Sequence, residues 1–384
     1  MDVSYDSGFS KLLTIILIMF FLLPQGLLLY LLVPLAFFVV SDVRIKLGRL
    51  LKSYYLMFVF VIVLSLLTNI LEPWLDLKSI FRACELIVVF YCFGKQKYLN
   101  ISKWTIIALV IIIVVSQFSF LDSTLTRLIE TYYPVKEEVH LNDNGDIDGI
   151  GSYHVRFGGL YREANDCAFY LNVLLLLTVV EIKQFGRFEF WGVVFVILLG
   201  NVLTGSRTGF AVILSSFILY FLNSKYKFKR LVPLIIVLLI ALFYAGSMLS
   251  EFRLFQIGSG LNDSMSEKTA VFVDYLNKVS PLKYIFGCFG DNATKFITGS
   301  DYAGTDNDMG NILVTYGIFF YFILFGFFLN VYQKIKKEYR VLFAQLLWCV
   351  SGSLFLSYRT VALFMLLLGI YFRKSILYKK QVIV

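Results

Sequence analysis

The chain has 384 residues, of which 59% are hydrophobic, 17% aromatic and 16% charged, and its mean hydropathy is +0.77. Soluble domains run about 45–50% apolar and about 25% charged, so this composition excludes an ordinary soluble fold. The formal net charge is +9, but the basic residues sort by loop rather than forming the single patch that nucleic acid requires.

Apolar segments fall near 11–23, 26–40, 53–71, 80–94, 102–120, 167–182, 190–204, 208–223, 231–248, 310–331, 341–357 and 360–372. Most approach the roughly 20 residues that cross a bilayer core. They are continuous rather than alternating, which excludes a closed β-barrel and leaves an all-α polytopic membrane protein. The first two segments are short and meet at Pro24-Gln25-Gly26, so they form a tight hairpin or one kinked helix. Twelve transmembrane helices are expected, with eleven, from the kinked helix, as the alternative. No basic leader or small-residue cleavage site is visible near Asp2 and Asp6, so no signal peptide is expected.

Lys and Arg alternate between loops. One set holds Arg44, Lys46, Arg49 and Lys52, then Lys95, Lys97 and Lys103, then Lys183 and Arg187, then Lys225, Lys227, Lys229 and Arg230. It continues with Lys334, Lys336, Lys337 and Arg340, and with Arg373, Lys374, Lys379 and Lys380. The positive-inside rule makes these loops cytoplasmic. Two long loops, 121–166 and 249–309, then face outside, and loops of that length usually carry function. In the second, Ser264 and Glu267 have capping-box spacing, apolar residues follow to Val279, and Pro281 closes the run. That pattern predicts an amphipathic helix lying on the membrane surface. The whole chain, 1–384, reads as a single polytopic membrane domain.

Cysteines form no paired motif, so neither structural zinc nor a disulfide framework is expected. Asn144, Asp146, Asp148 and Gly149 open like an EF-hand loop, but position twelve is Val155 instead of the bidentate Glu, leaving a solvated acidic turn. His140 and His154 lack metal-ligand spacing, and no nucleophile elbow or phosphate-binding loop occurs. No metal or cofactor is expected.

The polar residues gather instead at the end of the first external loop. His154, Arg156, Arg162, Glu163, Asn165 and Asp166 lead straight into an apolar helix expected to begin near Phe169. Ionisable groups at the mouth of a span are expensive and usually contact a substrate or one another. A tight turn, Ser206-Arg207-Thr208-Gly209, lies on the same side one helical hairpin later. The guanidinium groups of Arg156, Arg162, Arg207 and Arg253, near the external interface, suit a pyrophosphate. They would stabilise it as charge develops on a leaving group. The span interiors read as strongly apolar, which weighs against a transporter.

The segment Arg156-x-x-Gly159-x-x-x-x-x-Asn165-x-x-Ala168, followed by a span, resembles the first signature of the O-antigen polymerase and ligase superfamily. Ser206-Arg207-x-Gly209 resembles its second. Arg253, Phe286-Gly287-x-x-Gly290, and Asp306-Asn307 leading to Tyr316-Gly317 are similar to its second external loop. Ala164 stands where the family usually has proline, Arg162 and Glu163 replace small or neutral residues, and Asp306 stands where ligases carry histidine.

The resemblance implies a metal-independent glycosyltransferase of GT-C-like architecture in the bacterial inner membrane, its active site facing the periplasm. Its substrate would be oligosaccharide repeat units on undecaprenyl pyrophosphate, and its partners the bilayer and a chain-length regulator protein, with no nucleic acid. The expected reaction moves a growing glycan onto a new lipid-linked unit. Arg156, Arg207 and Arg253 would bind pyrophosphate, and Glu163 or Asp306, then His154, would take the acceptor proton. A ligase is the nearest alternative and a lipid-linked oligosaccharide flippase a more distant one.

Overall fold

The computed structural model describes residues 14–15, 18–23, 49–75, 79–80, 101–118, 124, 127, 158–161, 164–223, 261–290, 292–299, 308–351, 354 and 358–383. Among these the regular structure is helical, with no strand. In chain order the helices are α1 (Arg49–Asn69), α2 (Lys103–Gln117), α3 (Ala164–Val180), α4 (Arg187–Thr204) and α5 (Arg207–Asn223). Then come α6 (Leu261–Lys278), α7 (Pro281–Phe286), α8 (Ala293–Thr298), α9 (Asp308–Lys334), α10 (Trp348–Ser351) and α11 (Tyr358–Ile383). Three stretches are long and apolar enough to cross a membrane: Lys52–Asn69, Arg187–Thr204 and Met309–Lys334. The expected spans near 26–40, 80–94 and 231–248 lie outside the described residues apart from Ile80.

Helix ends follow local chemistry. The Ser102 hydroxyl accepts from the Trp104 N–H and starts α2. At α4 the Glu189 carboxylate accepts from the Gly186 N–H at 2.8 Å, reaching back over the first turn. Gly205 ends α4 in the left-handed region, at φ 59°, where a glycine has no Cβ to clash.

Polar contacts gather the basic loops at one end of the bundle. Glu181 accepts from Lys374 Nζ at 2.8 Å and from the Tyr371 hydroxyl at 2.9 Å. Lys103 Nζ donates to Glu189 at 2.8 Å, and the Lys103 N–H donates to the Gln184 side chain at 3.1 Å. The Lys336 N–H donates to Ser375 Oγ at 2.9 Å. One apolar core joins α1–α5, α9, the 337–347 segment and α11, while Phe60, Phe322 and Phe325 turn outward and are more than half exposed. Outward apolar side chains of that size suit contact with lipid.

Three expectations need correction. First, α3 starts at Ala164, so Asn165 and Asp166 occupy its first turn instead of preceding it. Second, the run expected to span at 341–357 opens as a 3₁₀ helix, Lys337–Leu347, that leads into the short α10. Val341, Leu342, Ala344, Gln345 and Trp348 are buried there, a period of three that stacks side chains in 3₁₀ rows. Third, α6 begins at Leu261, so Ser264 lies inside the helix and is not its cap. Its inner face does not simply rest on lipid. Tyr275 packs with Cys288, Ala293 and Val314, flanked by Phe272, Val279, Trp74 and Ile297. Val273 and Leu276 stay exposed on the other side.

Candidate functional site

Away from the basic loops, the far end of the bundle collects the C-termini of α1, α2 and α4 and the N-termini of α3, α5 and α9. Gly159 enters this end in the left-handed region, at φ 59°. A β-carbon there would strike the Ser116 hydroxyl and lie 3.0 Å from the Gln117 nitrogen, so only glycine lets the loop press onto the end of α2. The next residue donates its N–H to Ser116 Oγ at 3.1 Å. Tyr161 then donates its hydroxyl to the Phe21 carbonyl at 2.8 Å and stacks on Tyr170, ring centroids 4.4 Å apart. The loop is thereby seated before α3 begins.

The second turn is built from its own side chains. Thr204 Oγ1 donates to the Asn201 carbonyl at 2.7 Å and accepts from the Ser206 N–H at 3.3 Å. Ser206 Oγ accepts from the Gly209 N–H at 3.2 Å, an N-cap contact that starts α5. Ser206 is itself buried.

These two segments touch. A β-carbon on Gly209 would sit 3.0 Å from the Ala168 β-carbon and 3.1 Å from Asn201 Oδ1. One turn deeper, Asn172 Nδ2 donates to the Gly209 carbonyl at 3.1 Å. Gln117 Nε2 ties α2 to α4 by donating to the Gly200 carbonyl at 3.0 Å. The N-termini of α3 and α5 therefore lie side by side. Each brings the positive end of a helix dipole to this place, which favours an anion.

Gly287, in the 249–309 segment, and Gly317, inside α9, also meet. Gly287 and Gly317 adopt φ 81°, ψ 170° and φ 79°, ψ 176°, a region almost confined to glycine. A β-carbon on Gly287 would strike the Thr315 carbonyl, and one on Gly317 the Ile285 carbonyl. Between them Cys288 and Phe289 donate N–H groups to Val314 and Thr315 at 2.7 and 2.9 Å, which satisfies carbonyls freed by the break in α9. Asn69 reads this crossing from α1. Its Nδ2 donates to Gly287 O at 2.9 Å, and its Oδ1 accepts from Trp74 Nε1 at 3.3 Å. Ser65 Oγ donates to the Phe286 carbonyl, and Lys283 pairs with Glu72 while lying 4.0 Å over the Trp74 ring. Burial pushes the Cys288 thiol and the Tyr275 hydroxyl above their ordinary ranges, so both are neutral.

Of the residues expected to act, Gly159, Asn165, Ser206 and Gly209 belong to the assembled end. His154, Arg156, Arg162, Glu163, Arg253, Asp306 and Asn307 lie outside the described residues, as does the Arg207 side chain, although its backbone starts α5. Among the described residues no three His, Cys, Asp or Glu side chains gather as metal ligands would. Sequence reasoning passed over Asn69, Gln117, Asn172, Asn201 and Gln345, all buried. Their signal was there: neutral polar side chains inside apolar runs are rare and need partners. The span interiors are thus less uniformly apolar than expected. No family model matches the chain, and no curated protein matches it significantly.

Proposed function

We propose that the chain is a bacterial polysaccharide polymerase, a GT-C-like glycosyltransferase acting at the external face of the inner membrane. It moves a growing glycan from undecaprenyl pyrophosphate onto a new lipid-linked repeat unit. The observation that carries this reading is the contact between Ala168 and Gly209. Through it, the two segments that resemble the superfamily's first and second signatures abut, at the end of the bundle opposite the basic loops. Two helix N-termini there favour a phosphate group, and the arginines on those segments add fixed positive charge.

In the reaction, an acceptor hydroxyl oxygen attacks the anomeric carbon of the donor glycan. Its bond to the pyrophosphate oxygen breaks, and the lipid pyrophosphate leaves with the electron pair. Arg156, Arg162, Arg207 and Arg253 hold that leaving group as its charge grows. Glu163 or Asp306 accepts the hydroxyl proton, with His154 behind them. The sugar–pyrophosphate bond supplies the driving force.

Replacing Arg207 tests the reading. Arg207→Ala should cut polymer formation by about 100-fold or more, the cost of losing one group that stabilises a developing anion. Arg207→Lys should recover part of it, because charge survives while the bidentate fork is lost. Polymer length and amount unchanged in both variants would remove the pyrophosphate assignment. Cells lacking the protein should accumulate single lipid-linked units on the outer face. Long lipid-linked polymer that never reaches its acceptor would make it a ligase, and units held on the cytoplasmic face a flippase.

A further inference from the structure

The edge-to-face pair of Phe169 and Trp348, with centroids 6.0 Å apart, fixes the register between α3 and the 3₁₀ segment. One turn inward along α3 from Phe169 is Asn172. One turn inward along the 3₁₀ segment from Trp348 is Gln345, whose carbonyl accepts the Trp348 N–H. Helical and 3₁₀ spacing put each carboxamide one turn in from the ring pair and on its face, and α3, α5 and the 3₁₀ segment pack against one another. Asn172 is 0% exposed and Gln345 1%.

Asn172 uses its Nδ2 on the Gly209 carbonyl. Asn172 Oδ1, both polar atoms of Gln345 and Trp348 Nε1 have no hydrogen-bond partner among the described residues. Buried polar atoms left in this way cost stability, and in folded proteins they are met by a partner or by ordered water. The set offers two acceptor oxygens and two N–H donors. A metal cation would be repelled by the donors and an anion by the oxygens. Water, which both gives and accepts, satisfies all four.

We propose that internal water bridges the Asn172 and Gln345 carboxamides, and that Gln345 is thereby a positioning residue for the Ser206–Gly209 turn. The relay runs from Gln345 through water to Asn172, and from its Nδ2 to the carbonyl of Gly209. It holds the first turn of α5, which carries Arg207, against α3. This coupling holds whatever anion the turn binds, and it can be read without substrate.

The experiment is hydrogen exchange on the full-length protein in lipid nanodiscs, following the amides of Gly209 and Phe210. Gln345→Met keeps the volume but removes both polar atoms. It should speed exchange at these amides about tenfold, because the turn opens more often. Gln345→Asn keeps a carboxamide that water can still reach, and should stay within about threefold of the parent. Equal exchange in Q345M and the parent overturns the coupling. Equal acceleration in Q345M and Q345N overturns it too, because packing rather than hydrogen bonding would then be responsible. If Q345M does not fold, Asn172→Leu removes the Nδ2 donor to the Gly209 carbonyl, and unchanged exchange at the two amides there overturns the proposal. A high-resolution map showing the two carboxamides bonded to protein groups, with no water between them, does the same.

Discussion

Gly287 and Gly317 illustrate how much one missing side chain can decide. Each sits in backbone territory that other residues avoid, and each presses on a carbonyl of the other's segment. Gly299 is also left-handed, at φ 75°, but nothing lies within 4 Å of its β-carbon position. The comparison separates backbone strain from steric overlap. Gly299→Ala should cost about 1 kcal/mol from conformation alone. Gly287→Ala should cost roughly 2–3 kcal/mol, because the backbone region itself is glycine-only and the Thr315 carbonyl must also move. Thermal unfolding in detergent measures both. Equal shifts for the two variants would mean that the crossing of 285–289 with 314–317 yields easily.

Among the elements, the end of α1 acts as a clamp on the 285–289 segment. Asn69 donates to a carbonyl on one side and accepts an indole N–H on the other, and it is buried while doing so. Asn69→Leu would strand the Gly287 carbonyl and the Trp74 N–H, at about 1–3 kcal/mol for each buried group left unpaired. The loss should appear locally. Limited proteolysis should cut within 279–299 faster than in the parent, while α3–α5 stay protected. Cleavage spread evenly over the chain would show that α1 supports the whole bundle instead of this loop. The 3₁₀ segment makes the opposite point, since its buried rows repeat every three residues, a pattern that reads as a short apolar span when only hydropathy is counted.

For the whole molecule, the arrangement of charge makes an orientation testable. Lys103, Lys183, Lys336 and Lys374 belong to loops and helix ends joined by ion pairs and hydrogen bonds at one end. Lys278 ends α6 in the 249–309 segment, where it pairs with Asp274 and is half exposed. If the basic end is cytoplasmic, Lys278→Cys should react with a membrane-impermeant maleimide in intact cells. Lys183→Cys should react only after permeabilisation. The reverse pattern would invert the topology and take the proposed external site with it.

Composition and the length of the apolar runs pointed to a helical membrane chain, because the cost of unpaired backbone groups in lipid leaves few alternatives. The described residues are helical, with three stretches long and apolar enough to cross a membrane. Among the described residues, the alternating Lys and Arg grouped Lys103, the 183–187 turn, Lys336 and Lys374, which the fold does bring to one end, since the same desolvation cost keeps their charges at an interface. The clusters at 44–46, 95–97 and 225–230 lie outside the described residues. Motif order also singled out the segments around Gly159 and Gly209. Their contact was not legible, because it depends on α3 and α5 packing closely enough for Ala168 to meet a glycine. Nor was the role of Asn69, Asn172 or Gln345, each a neutral polar residue that looks incidental in its own apolar run. A hydrogen bond between distant helices has no local signature, so tertiary structure alone decided which of those side chains hold the site together.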